Sequence, residues 1–151
     1  MYEVLAQGYD ELYGEEQEKK LHMLAPIIQG RVLDLGAGTG IVARHFPNVV
    51  SLDPSAEMLA HAPGVKVVAK AEQIPFSPRT FDTIVSLTAL HHCDIDNVIA
   101  EIKRLQPKNI GLTVLKKSPR CEEIVNKLQA AFAMEIIDEE KDIILIKQAK
   151  A

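Results

Sequence analysis

The 151-residue chain carries a formal net charge of −4 and is 47% apolar and 25% charged, which fits one ordinary globular domain and excludes disorder, a collagen-like repeat and a disulfide scaffold. Its mild acidity disfavours direct nucleic-acid binding, no apolar run reaches the roughly 18–20 residues of a membrane span, and the first residues lack the pattern of a signal peptide. With Cys93 and Cys121 expected as reduced thiols, these values predict a cytoplasmic protein with a single domain over residues 1–151.

Short β-rich runs alternate with helical stretches along most of the chain. Leu21, Leu24, Ala25 and Ile28 recur at helical spacing, which predicts a helix over about 15–29 ahead of the first strand. The next elements are predicted as strand Arg31–Leu35, helix Ile41–Phe46, strand Asn48–Leu52, a helix capped by Ser55 and running through His61, strand Val65–Ala69, strand Phe81–Leu87, a helix capped by Asp94 with apolar positions from Ile95 to Leu105, strand Ile110–Leu115, and a helix opening at Ser118–Pro119.

The last elements depart from this alternation. Met134–Ile137 and Asp142–Lys147 are two predicted strands close enough in the chain to form a hairpin. The alternating part predicts a parallel sheet with right-handed crossovers, and the hairpin adds one antiparallel strand near the sheet edge. The expected fold is therefore α/β, a Rossmann-like doubly wound seven-stranded mostly parallel sheet with a C-terminal antiparallel hairpin strand. Residues 1–29 are expected to form a helical cover, and residues 30–151 the core.

The strongest functional signal is the segment Val32–Gly40, VLDLGAGTG, in which a predicted strand runs into a glycine-rich turn that opens a helix. Open α/β sheets bind nucleoside cofactors beyond the carboxyl ends of their strands, at turns of this kind. Gly36 and Gly38 would let the backbone approach a ligand closely, and Gly40 would let the helix pack tightly on the sheet. Three alternate glycines directly after a buried strand favour a ligand-binding loop over a turn that merely needs glycine.

Three acidic residues narrow the chemistry of the ligand. Asp34 precedes the loop, where a carboxylate repels a pyrophosphate but suits an ammonium or another cation, and the G-x-G-x-G spacing departs from the dinucleotide fingerprint. Asp53 ends the second strand, where it could accept both ribose hydroxyls. Glu72 follows the third strand and could accept an exocyclic amine. The set fits an amine-bearing nucleoside with a positive group and no phosphates, and it disfavours NAD.

Four segments, in this order, resemble the class I S-adenosylmethionine-dependent methyltransferases, within them the type 11 group that includes the ubiquinone/menaquinone biosynthesis C-methyltransferases. The segments are VLDLGAGTG, SLDPSAEML (Ser51–Leu59), AEQIPF followed by FDTIVSLTALHH (Ala71–His92), and the terminal hairpin. The resemblance implies S-adenosyl-L-methionine as the cofactor, methyl transfer as the activity, and one methyltransferase domain over residues 1–151.

The resemblance also implies roles for particular residues. Asp34 and the loop of Gly36, Ala37, Gly38 and Gly40 would face the methionine part of the cofactor, and Asp53 its ribose. The other implied contacts are Pro54 or Met58 at the adenine ring, Glu72 and Gln73 at the adenine edge, Leu87 and Thr88 beside the methionine amino group or the transferred methyl, and Tyr9 or Tyr13 over the sulfonium. A tyrosine in that last segment fits core packing equally well.

His91 and His92 are the candidates for a catalytic base, which methyl transfer needs only when the acceptor must lose a proton. In the family that the chain resembles, this pair more often shapes the pocket mouth or caps the next helix. No metal site is expected, because adjacent ligands such as those in His91–Asp94 rarely chelate one ion and no second cluster has zinc-like spacing. Lys116, Lys117 and Arg120 form a basic cluster that is either a solvated face or a contact for an acidic substrate.

The methyl acceptor stays open at this point. Relatives that act on small molecules often carry an inserted lid, whereas Leu115 and Ser118 are only three residues apart here. A small metabolite fits if the N-terminal helix alone covers the pocket. An open site suits a bulky acceptor such as a protein side chain or tRNA, with a helper subunit supplying the missing surface. The alternative class is a non-enzymatic S-adenosylmethionine-binding module or assembly subunit.

Overall fold

A computed structural model describes residues 14–150 of the chain. The helices are α1 over residues 14–24, α2 (Ile41–His45), α3 (Ala56–Leu59), α4 (Ile95–Leu105) and α5 (Cys121–Phe132), with 3₁₀ turns at Ala25–Ile27 and Leu90–His92. The strands are β1 (Val32–Leu35), β2 (Val49–Asp53), β3 (Val65–Val68), β4 (Thr83–Leu87), β5 (Asn109–Leu115), β6 (Glu135–Asp138) and β7 (Asp142–Lys147). Within residues 14–150, no helix has the length and apolar character that crossing a bilayer requires.

The seven strands form one sheet in the order β3-β2-β1-β4-β5-β7-β6. The first five in this order are parallel, and β7 runs antiparallel to both of its neighbours. The predicted α/β architecture with one antiparallel hairpin strand is therefore confirmed. The chain moves outward from β1 to β3 and then returns to place β4 on the other side of β1. This reversal of strand order is where open α/β sheets leave a crevice for a ligand.

The two faces of the sheet are covered by different helices. Alternate strand residues point to opposite faces, so Leu33 and Leu35 of β1 pack with the apolar stripes of α4 and α5, whereas Val32 packs with α1 and α2. Asp34 follows Val32 by two positions and therefore lies on the face that α1 covers. The sequence thus places one carboxyl group under the N-terminal helix, at the end of a central strand.

Three helix boundaries differ from the predicted ones. Helix α1 ends at residue 24, short of the predicted end near residue 29, and a 3₁₀ turn that contains Pro26 follows it at Ala25–Ile27. Helix α5 begins at Cys121 instead of at Pro119, because the Ser118 carbonyl accepts the Cys121 N–H and the Ser118 hydroxyl accepts the Arg120 N–H, forming a tight turn ahead of the helix. Helix α3 ends at Leu59, short of the predicted end at His61. The proline at position 63 disfavours helical backbone in the residue before it, so the last residues of this segment form turns.

The predicted caps are confirmed. The Ser55 hydroxyl accepts the Met58 N–H at 3.2 Å at the start of α3, and the Asp94 carboxylate accepts the Asn97 N–H at 3.4 Å at the start of α4. Both side chains satisfy backbone donors that a first helical turn leaves without partners.

Candidate functional site

The glycine loop leaves β1 and crosses to α2 with left-handed backbone at Gly36, Gly38 and Gly40, where φ is 70°, 57° and 85°. A Cβ at Gly36 would lie 2.5 Å from the Ala89 Cβ, and a Cβ at Gly40 would lie 2.5 Å from the Ala62 Cβ. These two positions are therefore closed to any side chain, because neighbouring elements pack directly on the loop. The loop is held at its base by the Leu52 carbonyl, which accepts the Gly36 N–H at 2.8 Å.

Gly38 differs from the other two glycines because it faces open space. A Cβ built there would meet only the Met58 Cε, at 3.6 Å. The Gly38 N–H is donated to the Asp53 carboxylate at 2.9 Å, and the other oxygen of that carboxylate accepts the Ser55 N–H at 2.9 Å. Asp53 thus fixes the tip of the loop and the start of α3 together, with charge-assisted hydrogen bonds of the stronger kind.

A cavity of about 460 Å³ lies between this loop, α1 and α3. Its volume is within the range of about 300–1,000 Å³ that small-molecule sites occupy. Gly14 and Gln17 of α1 form one wall, and Leu87, at the carboxyl end of β4, lies at the switch point of the sheet. The other lining residues come from the β1 end, the loop, α2 and the α3 segment: Asp34, Gly36, Ala37, Gly38, Thr39, Ile41, Arg44, Met58 and His61.

Asp34 gives this cavity an unusual electrostatic character. Asp34 is among the residues that line the cavity, although it is only 2% exposed. Burial, with a further contribution from the nearby Asp53 carboxylate, raises the pKa of Asp34 from 3.8 to about 8. A buried acid with a raised pKa keeps its proton at neutral pH. A cation placed beside it would lower its pKa again and favour the ionised form.

A second polar group lies at the edge of this cavity, and we call it the Lys20 cluster: Gln17, Lys20, Thr88, Thr113 and Asp142. Lys20 Nζ is 2.9 Å from Asp142 Oδ1 and donates hydrogen bonds of 2.9 Å to Gln17 Oε1 and Thr88 Oγ1. The Thr88 hydroxyl donates to Asp142 Oδ2 at 2.7 Å. Lys20 is 3% exposed and Asp142 is fully buried. Thr113 of β5 accepts the Thr88 N–H at 2.9 Å. The cluster therefore joins α1 to the end of β4, to β5 and to the start of β7, around an ion pair that is buried from water.

The structure brings together many of the predicted site residues. Asp34, Gly36, Ala37, Gly38, Met58 and Leu87 line the cavity. Asp53 adjoins it through its bond to Gly38, and Gly40 packs under the loop against Ala62. Thr88 follows Leu87 and belongs to the Lys20 cluster, with a left-handed φ of 52°. The glycine loop and the two aspartates therefore do meet at one place.

Other predicted residues lie elsewhere. Pro54 and Gln73 are exposed and are not part of the cavity lining. The Glu72 carboxylate accepts the Asp94 N–H at 3.0 Å, just before α4. Tyr9 and Tyr13 lie outside the described residues.

His91 and His92 follow β4 in a 3₁₀ turn, with their ring centroids 3.9 Å apart. Neither ring lines the cavity. Burial and the adjacent His92 ring lower the pKa of His91, against a smaller raising effect of Asp142, so this imidazole is neutral at pH 7. Their role as a base stays a prediction. In residues 14–150, no three His, Cys, Asp or Glu side chains converge on a point where a metal ion could bind.

The three basic residues after β5 do not form one patch. The Arg120 guanidinium donates to the carbonyls of His91 and Cys93, at 3.1 and 2.7 Å, and so fixes the 3₁₀ turn that follows β4. Lys116 pairs with Asp138 of the hairpin, and Lys117 is exposed. Lys116 and Arg120 are therefore engaged in structural contacts, and Lys117 is the solvated side chain of the three.

Sequence reasoning did not identify Gln17, Lys20, Arg44, His61 or Asp142. A signal was present for the first two, because Gln17 and Lys20 fall on the same helical stripe as Leu21 and Leu24, and a polar residue on a buried stripe indicates a specific partner. Asp142 carries no comparable local signal.

Comparison with known proteins gives a family match that includes Asp34, the glycine loop and Leu87. The family model described as "Methyltransferase domain" matches residues 33–109, about half of the chain. An uncharacterized protein of Methanocaldococcus jannaschii is 36% identical over 115 residues, which are 69% of this chain and 45% of that protein. The chain spans about half the length of the curated relatives it matches.

Solved structures extend the likeness of the fold to nearly the whole chain. A S-adenosylmethionine-dependent methyltransferase from Thermotoga maritima superposes with a TM-score of 0.76 at 14% identity, over 97% of this chain and 96% of that one. A protein solved in complex with the Trm112 methyltransferase activator of Haloferax volcanii gives a TM-score of 0.71 at 17% identity, again over 97% and 96% of the two chains.

Proposed function

The chain belongs to the class I S-adenosylmethionine-dependent methyltransferases of type 11, and we propose that it binds S-adenosyl-L-methionine in the cavity beside the glycine loop and transfers its methyl group to an acceptor. The observation that carries this proposal is the meeting of the left-handed loop at Gly36–Gly40 with the buried carboxyl group of Asp34 on one cavity wall. The proposed unit is one methyltransferase domain over residues 1–151, in which α1 is part of the cover over the core.

The residues present fit the cofactor in charge and in shape. Its methionine part carries an ammonium and a carboxylate, and the cavity offers Asp34 for the first and Arg44 for the second. A cationic group beside Asp34 offsets the cost of ionising this buried acid. The space in front of Gly38, which a Cβ would fill, lets the ligand contact the loop backbone directly.

The other cofactor contacts follow the roles that the family resemblance implies. Asp53 would accept the ribose hydroxyls, since each carboxylate oxygen has two acceptor positions and the loop and Ser55 each use one. Met58, 46% exposed at the cavity wall, would pack on the adenine ring. Pro54, Glu72 and Gln73 would lie toward the adenine, and Tyr9 would cover the sulfonium.

The sulfonium of the bound cofactor supplies an already electrophilic methyl group, so the protein's contribution is to place and desolvate the reactants. Holding an acceptor in line is worth several kcal/mol in well-oriented systems. Leu87 lines the cavity with an apolar side chain at the end of β4, and Gln17 of α1 lines it as well. If the acceptor must lose a proton, His91 or His92 is the proposed base, and because neither ring lines the cavity the acceptor would have to approach from the side of the 3₁₀ turn that follows β4.

Two acceptor classes remain in the proposal, a small metabolite and a macromolecule presented with a helper subunit. The second is favoured by the neighbour that was solved in complex with an activator and matches nearly the full chain. Co-purification from the native cell separates the two classes. A stoichiometric partner that is required for activity supports the helper subunit, and full activity of the isolated chain on a metabolite excludes it.

Calorimetric titration with S-adenosylmethionine and with its product S-adenosylhomocysteine tests the cofactor site, using Gly38→Ala as the probe and Gly64→Ala as its control. Both glycines have a left-handed φ, 57° and 75°, so both substitutions carry similar backbone strain. A methyl group at Gly38 enters the cavity, whereas at Gly64 it meets no atom within 4 Å. We expect at least tenfold weaker binding for the first variant and less than a twofold change for the second.

Two results would refute this proposal. One is the absence of binding tighter than millimolar to the wild-type protein, and the other is equal affinity in both glycine variants. Good cofactor affinity without methyl transfer to any metabolite, RNA or protein would favour the non-enzymatic binding module instead.

A further inference from the structure

A contribution to folding stability does not by itself explain why the chain contains the Lys20 cluster. A buried ion pair usually gains little over two apolar residues of the same volume, because both charges lose their hydration. Thr88 adds a second unfavourable feature, since a β-branched residue in left-handed backbone is strained. Strained backbone and desolvated charges are commonly found at functional sites, where a fixed geometry is needed. This cluster adjoins the cavity.

The cluster determines where α1 lies. Gln17 lines the cavity and donates to the Leu87 carbonyl at 3.4 Å, and Lys20 follows one helical turn later. Lys20 contacts Thr88 and Asp142, which belong to the sheet. The cavity wall formed by Gly14 and Gln17 is therefore fixed to the sheet through the buried ammonium group of Lys20.

The two charges of the pair lie outside the segment that matches the family model. That segment covers residues 33–109, whereas Lys20 precedes it and Asp142 follows it. The pair therefore joins two flanking elements, α1 and β7, on either side of the matched segment. Neither charged side chain lines the cavity.

We propose that the Lys20–Asp142 ion pair docks α1 on the ligand edge of the sheet, and that Lys20 and Asp142 are positioning residues on which cofactor affinity depends without direct contact. The part that concerns affinity rests on the proposed cofactor site. The docking itself does not, and it is measured in the ligand-free protein.

The test uses the double variant Lys20→Met/Asp142→Asn, which removes both charges together. A single Lys20→Met variant would leave the Asp142 carboxylate buried without its counter-charge, a change that destabilises strongly. The matched control is Glu16→Gln/Lys141→Met, because this pair joins the same helix to the same hairpin but lies nearer the solvent. Should the first double variant not fold, Lys20→Gln/Asp142→Asn is measured in its place and judged by the same outcomes, because it also removes both charges but keeps groups that can form hydrogen bonds.

Hydrogen exchange of the ligand-free proteins and titration with S-adenosylhomocysteine are the two measurements. We expect at least tenfold faster exchange at residues 14–24 with unchanged exchange in β1 and β4, and at least tenfold weaker binding. The control pair should change both by less than twofold. A merely structural role would lower the urea midpoint but leave the affinity of the folded variant unchanged, and this result would overturn the proposal.

Failure of the proposed function is distinguishable from failure of this inference. Wild-type protein that binds no S-adenosylhomocysteine refutes the cofactor site. Unchanged exchange at residues 14–24 in the variant that lacks the pair refutes the docking.

Discussion

Replacing Asp34 by asparagine should stabilise the ligand-free protein and weaken its binding of the cofactor. The carboxyl group is buried at the end of β1, and its pKa is raised to about 8 first by burial and then by Asp53. The folded state therefore binds a proton that the unfolded chain releases above its ordinary pKa of 3.8. Stability from this group is fully present below 3.8 and falls as the pH rises toward 8.

The size of this penalty follows from the two pKa values. Each pH unit between them costs about 1.4 kcal/mol, so that at pH 7 the ionisable group lowers the free energy of unfolding by about 4 kcal/mol. An asparagine has nearly the same shape and does not titrate. The gain from Asp34→Asn should be close to zero at pH 4 and should grow to about 4 kcal/mol at pH 7.

Urea denaturation followed by circular dichroism at several pH values measures this difference, since the chain contains no tryptophan for fluorescence. Asp53→Asn is the control, and it should change the free energy of unfolding in the opposite direction. Its carboxylate accepts the N–H groups of Gly38 and Ser55, so the amide should destabilise by about 1–3 kcal/mol. An Asp34→Asn variant that is less stable than wild type at pH 7, or whose difference from wild type is independent of pH, would refute the reasoning.

Three further predictions concern pH, a loop and a cap. The Kd for S-adenosylmethionine should rise by up to about tenfold per pH unit as the pH falls below 8, because the cation requires ionised Asp34; titrations that give equal affinity at pH 6 and 8 would contradict this. Arg104→Met should lower the free energy of unfolding by about 1–3 kcal/mol, since the guanidinium donates to the carbonyls of Ile74 and Phe76; the exposed neighbour Lys103→Met should not change the urea midpoint. Asp94→Ala should cost about 1 kcal/mol through loss of the α4 cap, seen as a lower thermal midpoint and faster amide exchange in the first turn of α4 but not in α5.

The fold was predictable from the sequence because its signals are local. Strand patterns, the loop glycines and the caps at Ser55 and Asp94 each involve residues within a few positions of one another, and the structure agrees with all of them. The start of α5 was predicted wrongly, since Ser118 and Pro119 suit a tight turn as well as a first helical turn. Only the actual hydrogen bonds decide between these two uses of the same residues.

The site was predictable where one loop determines it, but not where distant elements meet. Asp34 and the glycines follow one strand and reach the cavity together. The partner of Lys20 comes from β7, and nothing near Asp142 in the sequence indicates a buried ion pair. The Glu72 carboxylate meets the Asp94 N–H because the segment after β3 packs on the start of α4, which is a tertiary contact that no spacing rule contains.

The position of β7 has a consequence for the order in which the protein assembles. Helix α1 emerges from the ribosome before every strand of the sheet, while its buried counter-charge, Asp142, follows the six strands β1 to β6 in the chain. β7 must then enter between β5 and β6. The Lys20 ammonium therefore stays hydrated through most of synthesis. We expect the nascent chain to reach its full affinity for the cofactor only in a late step, when β7 pairs with β5.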